Sequence, residues 1–140
     1  MPPITSSTIS GSNRYGFPFL GSIDEKLQEQ LDVSSLDGTD FVDDDGILIP
    51  GTPLRLVDNL LVPVDGGGQE VRGFVLEQVK IAKDNASGTL SAADDLAVVI
   101  VVKATVDRAT VEYNIGRVLT ANEISAIEAA DHFVLTDPES

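Results

Sequence analysis

Few residues in this chain have the type and spacing that chemistry needs. The acidic run "DFVDDDG" resembles a calcium loop only in part. The EF-hand spacing needs acids at positions 41, 43 and 45 before Gly46, but position 41 is Phe41 and no Glu closes the loop. It reads as a solvated acidic loop. His132 is the single histidine. It stands at a helix end, where an imidazole can meet the last carbonyls, and no activated serine or G-x-S-x-G accompanies it. "DGGGQE" has glycines enough to cradle an anion, but a strand rather than a helix follows, which favours a hairpin turn. Asp65 with Glu70 or Glu77 would make a carboxylate pair, a coincidence expected of any acidic chain. Lys103 ends a Val/Ile run instead of sitting on the tight turn that a swinging-arm carrier requires, so it reads as a strand-end lysine. With no cysteine there is no disulfide, thiolate nucleophile or thiolate metal site. The residues point to no catalysis, no metal and no cofactor.

The composition narrows the partners. The chain has 140 residues with 23 acids, 9 bases and a net charge of −14. That balance disfavours phosphate backbones and anionic membranes, which need clustered Lys and Arg. It suits solubility or a basic protein surface. Aromatics make up 5% and there is no Trp, so the core must come from Val, Ile, Leu and Ala, a β-rich composition. The opening "MPPITSSTIS" lacks the basic and apolar regions of a secretory signal. The longest apolar run, residues 96–102, is too short to span a bilayer. A soluble single domain with appendages is expected, cytoplasmic if expressed in bacteria.

The elements follow from local pattern. Residues 1–19 form a Ser/Thr/Pro/Gly-rich arm, expected to order only against a partner. "SIDEKLQEQL" reads as a helix, with Ser22 and Glu25 as a capping box and Ile23, Leu27 and Leu31 as an apolar stripe. An acidic loop completes residues 20–45. Strands follow in "ILIPGTPLRLV", where prolines mark strand starts, in "LLVPV" after a tight turn at Asp58–Asn59, and in one long strand over 71–82. "KDNASGTLSAADD" is a polar connection. "LAVVIVVKATV" is a strand expected to be buried on both faces. "DRATVEYNIG" continues extended or turns. A second helix begins at Thr120, capped with Glu123, stapled by Leu119 on Ile124, and faces Ile124, Ile127 and Ala130 inward. "HFVL" returns as a short strand, and residues 137–140 are a tail.

Taken in order, "PGTPLRLVDN", "LLVPVDGGG", "VRGFVLEQV", "LAVVIVVKATV", "DRATVEY", a short helix and "HFVL" resemble the head decoration (capsid-stabilising) proteins of tailed phages, the lambda gpD-like family. The likeness covers residues 46–135, and residues 46–136 would form the decoration-protein core. It implies an α+β fold, a small β-rich barrel- or sandwich-like body with two short helices and an extended N-terminal arm. It implies homotrimers on the outer surface of the virion's expanded capsid, bridging capsomers at three-fold sites, with the host cytoplasm as the place of assembly. The partners so implied are the major capsid protein and the chain itself, with neither nucleic acid nor membrane.

The arm would add a strand to the capsid protein through Ile4, Thr5, Ser6, Ser7, Thr8 and Ile9, with Tyr15 and Phe17 beside them. Ile4 and Ile9 would face opposite sides of that strand. Ile47, Ile49, Leu54 and Leu56 are candidates for trimer contacts or for ordinary core. The helix at residues 22–31 and the loop at 40–45 have no counterpart in the family pattern. The alternative reading is a small β-rich carrier or ligand-binding module.

Overall fold

Turn residues set the strand boundaries. The computed structural model describes residues 15–66, 69–81 and 96–136. Asp58 and Asn59 both take positive φ, 51° and 68°, and close a two-residue hairpin between β3 (Pro53–Val57) and β4 (Leu60–Pro63). Both residue types tolerate the left-handed region, and such a turn matches the twist of the strands it joins. Pro53 opens its strand and Pro63 ends its own, where a missing N–H costs little.

Five strands close on themselves in the order β1 (Phe19–Leu31), β4, β3, β5 (Gly73–Val75) and β7 (Leu96–Val106), with β1 returning to β7. β8 (Phe133–Leu135) lies parallel to β7 outside this ring. A separate ribbon joins β2 (Ile47–Leu48) to β6 (Val79–Lys80). The fold is thus a small β-rich barrel with two helices. Its core runs from Leu31, Leu54, Leu61, Phe74 and Ile100 in the strands to Val111 and Ile127 in the helices, all fully buried. At Gly73 the packing leaves no room for a side chain. A Cβ there would stand 2.8 Å from Ile100 Cδ1 and 2.8 Å from the Val101 carbonyl oxygen.

The expected helix over residues 22–31 is instead part of β1. Ile23, Leu27 and Leu31 are spaced i, i+4, i+8, which serves a period of two as well as one of 3.6. The helical positions at i+3 and i+7 hold Lys26 and Gln30. An isolated ten-residue helix is marginal in water, whereas β1 finds antiparallel partners along β7 from Phe19↔Val106 to Leu31↔Leu96. Its register slips between Leu20 and Lys26, beside Gly21 at φ 72°, the signature of a bulged strand. The loop that follows contains a 3₁₀ turn (Val33–Leu36), and Val33, Leu36 and Phe41 belong to the core.

Three further expectations change. The single strand over 71–82 is two, β5 and β6, in different sheets: after Leu76 donates to Val99 the chain leaves β7 and turns to β2, where Ile81 donates to Gly46. β7 has the expected bounds, but Ala97, Val99 and Lys103 are exposed. It is flanked by strands on both edges without being covered on both faces. "DRATVEYNIG" is helical: α1 spans Arg108–Ile115. Asp107 accepts from the Thr110 hydroxyl at 2.8 Å, and Gly116 ends the helix at φ 81°. An Asp before and a Gly after are the usual start and stop signals, here masked by the β-prone Thr-Val and by the preceding strand.

α2 (Ala121–Ala129) has the expected capping box, with the Thr120 hydroxyl accepting from Glu123 N at 3.1 Å and the Glu123 carboxylate accepting from Thr120 N at 2.9 Å. Thr120→Ala should cost about 1 kcal/mol. Urea unfolding checks this, and an unchanged midpoint would mean that the cap contributes nothing.

Candidate functional site

The site of interest is where the N-terminal segment joins the barrel. Gly16 N donates to Asn114 Oδ1 at 2.9 Å, and Asn114 Nδ2 donates back to the Gly16 carbonyl at 2.8 Å and to that of Pro50 at 3.3 Å. Asn114 is buried, and these bonds meet the demand that a buried amide be satisfied. Asp107 N donates to the Pro18 carbonyl at 2.7 Å. Gly16 sits so close to α1 that a Cβ would lie 3.0 Å from Thr110 Cγ2. The Tyr15 hydroxyl donates to Asp43 Oδ2. Asp43 Oδ1 accepts in turn from the backbone of Asp45, at 2.9 Å, and Ile47, at 3.0 Å. The acidic loop is therefore a clasp. It folds around one carboxylate and holds the root of the arm.

Of the arm residues read as capsid-binding, Ile4, Thr5, Ser6, Ser7, Thr8 and Ile9 lie outside the described residues. Tyr15 is half-buried at the clasp. Phe17 is 58% exposed, its ring edge-on to Phe19 at 5.6 Å. Of the trimer candidates, Ile47, Ile49 and Leu54 are buried within the single chain, and Leu56 is 41% exposed. Leu56 alone of the four presents a large apolar surface.

Other apolar groups are also exposed. Leu20 and Val134 both flank Thr105 across β1, β7 and β8, so the three share one face. Tyr113, at the end of α1, and Val118 just beyond it are 77% and 69% exposed. The sequence reading passed over these four. Val134 sits in the unbroken apolar run "FVL", and Tyr113 and Val118 carry no local sign of exposure once α1 is missed.

Beside this surface Arg117 ties three elements together. Its Nε donates to Asp40 at 2.7 Å, and its Nη atoms donate to the two Glu123 oxygens at 2.9 and 2.8 Å. Its guanidinium carbon lies 5.6 Å from the centre of the Phe41 ring, a cation–π geometry. The bond to Glu123, then that to Asp40, raises the Arg117 pKa against the opposing effect of burial. Burial alone would raise the Glu123 carboxyl, but Arg117 and the Thr120 hydrogen bonds outweigh it and lower its pKa.

The remaining candidates for chemistry stand apart. His132 is exposed. Lys103 is exposed within β7 opposite Glu25. Asp65 pairs with Arg55 at 3.5 Å and bonds to the Gln69 amide at 2.7 Å. Among the described residues no cluster of three His, Asp or Glu side chains is placed to hold a metal ion, and no helix is long and apolar enough to cross a membrane. No protein-family model matches the chain, and no curated protein matches its sequence.

Proposed function

We propose that the chain is a structural decoration protein of a phage head, acting as a homotrimer on the expanded shell. The observation that carries this reading is the clasped root of the arm. Asn114, Asp43 and Asp107 fix residues 15–18 on a barrel that leaves Leu20, Leu56, Tyr113, Val118 and Val134 exposed. A segment rooted at one fixed point of a barrel is suited to strand addition, in which backbone bonds supply affinity and alternate side chains fill pockets. Repetition over a symmetric lattice then turns weak contacts into avidity. The carrier alternative is disfavoured by Lys103, which lies inside β7 and not on a turn.

The structure sets where a test deletion must stop. Pro18 and Phe19 are buried, so removing residues 1–19 would damage the barrel, and removal of 1–14 is the useful variant. Sedimentation equilibrium should give three times the chain mass. Co-sedimentation with expanded heads should weaken at least tenfold, about 1.4 kcal/mol, without residues 1–14. A monomer at tens of micromolar, or equal binding by both chains, would refute the proposal.

A further inference from the structure

Two grooves meet at residues 76–78. One has a volume of about 440 Å³ and is walled by Tyr15, Gly16, Phe17 and Pro50. The other, about 340 Å³, lies across the same segment against Val79, Ala97 and Val99. Leu76, Glu77 and Gln78 line both. Phe17 and Val99 are largely exposed here, at 58% and 40%.

We infer that these grooves are the docking site for residues 1–14 of the same chain. Three observations carry this. The first is position: the chain enters the described structure at Tyr15, on the wall of the larger groove, and the clasp holds it there. Fourteen residues reach up to about 45–50 Å when extended, enough to cross both grooves. The second is charge. Arg14 is the only charged side chain among residues 1–23, the longest carboxylate-free stretch of the chain, and all 23 acids lie beyond it. The segment thus carries a positive charge onto a strongly acidic body. Glu77, common to both grooves, offers a partner for Arg14 or the amino terminus. Lys80 is turned toward the Asp45 carbonyl, leaving Lys26 as the cation of the far groove. The third is chemistry. Ile4 and Ile9 are apolar anchors separated by hydroxyl residues, a match for grooves lined by Phe17, Pro50, Leu76 and Val99 together with Glu77 and Gln78. Tethering gives an effective concentration in the millimolar range, so modest complementarity is enough.

Docking makes the arm its own competitor. A partner that takes the arm must first draw it from the grooves, and its apparent affinity falls by the fraction stowed. This consequence rests on the function proposed above; the docking itself does not.

The chain has no cysteine, so Ser7→Cys can carry a single nitroxide. In ¹⁵N-labelled full-length protein, amides of residues 76–79 and 97–99 should lose more than half their intensity relative to the reduced label. Asp58 and Asn59 should not, because the register of β3 on β5 puts that turn at the far end from residue 76. Glu77→Lys, with an otherwise unchanged spectrum, should at least halve the effect. Loss of intensity spread evenly over the surface would overturn the inference. So would equal broadening when unlabelled spin-carrying chains are mixed with ¹⁵N chains that have none, since a neighbour's arm would then fill the groove. Heads play no part in this measurement, so its failure and that of the decoration reading are separable.

Discussion

Phe74→Ala should cost about 3–5 kcal/mol, the range for truncating a buried aromatic. Phe74 is fully buried on β5, between β3 and β7. Its ring meets Phe133 of β8 edge-to-face at 4.8 Å and Phe19 of β1 at 6.3 Å. Each such pair adds about 0.5–1.5 kcal/mol beyond area burial. One side chain therefore joins three strands, and the cavity left by Ala cannot collapse easily because Gly73 already holds β5 tight against β7. A domain of this size has only about 5–15 kcal/mol of stability in total. The urea midpoint should fall sharply with an unchanged slope. A loss below about 1 kcal/mol would mean that the three rings do not form one core.

Arg117→Ala should cost about 2–3 kcal/mol at neutral pH, less than for a fully buried pair because water reaches Arg117. Glu123 is 5% exposed and would lose the guanidinium that offsets its burial. Asp40→Ala should cost under about 1 kcal/mol, since that carboxylate is exposed.

The pH dependence separates the Glu123 pair from mere packing. In the intact chain the Glu123 pKa is lowered from 4.5. Its contribution is fully present above the unfolded value and is lost as pH falls through the folded one. In Arg117→Ala the largest remaining influence is burial, which pushes the carboxyl up. Protonation then relieves the variant while it harms the intact chain. The stability gap should narrow as pH drops from 7 through 4.5, and a constant gap would assign the loss to packing on Phe41.

The strands at residues 53–57, 60–63 and 96–106 and the second helix were legible because their signals are local; β1 and the break between β5 and β6 were not. Asp58–Asn59 needs only its own tolerance of positive φ, and Thr120 with Glu123 only their spacing. Seven of the eleven residues over 96–106 are β-branched, so propensity alone marks the run. Even there, which residues face water was not legible, because that depends on where β1, β5 and β8 lie. Two helices were expected and two are present among the described residues, but only one is the same. Residues 22–31 satisfied both periods, and the choice fell to β7, a partner more than sixty residues away. α1 had its Asp and Gly signals but followed a strand without a break.

Less of the candidate site could be read. Composition marked residues 1–19 as an arm, of which 1–14 lie outside the described residues and Phe19 belongs to β1 and the core. The arm's root was not legible. Tyr15 meets Asp43 across 28 residues and Gly16 meets Asn114 across 98, separations at which sequence carries no spacing rule. The acidic loop looked like solvated charge, yet Asp43 is the centre of a clasp and Asp40 is bound to Arg117. Ile49 and Leu54 were apolar enough for either a seam or a core, and closure of the barrel put both inside. By itself the sequence determined a β-rich, carboxylate-heavy chain with a carboxylate-free, hydroxyl-rich beginning, because composition and turn chemistry act over a few residues. Tertiary structure alone decided which strand closes the barrel, which carboxylate grips the arm and which apolar groups stay in water. Those outcomes depend on distant segments competing for the same backbone partners and the same buried space.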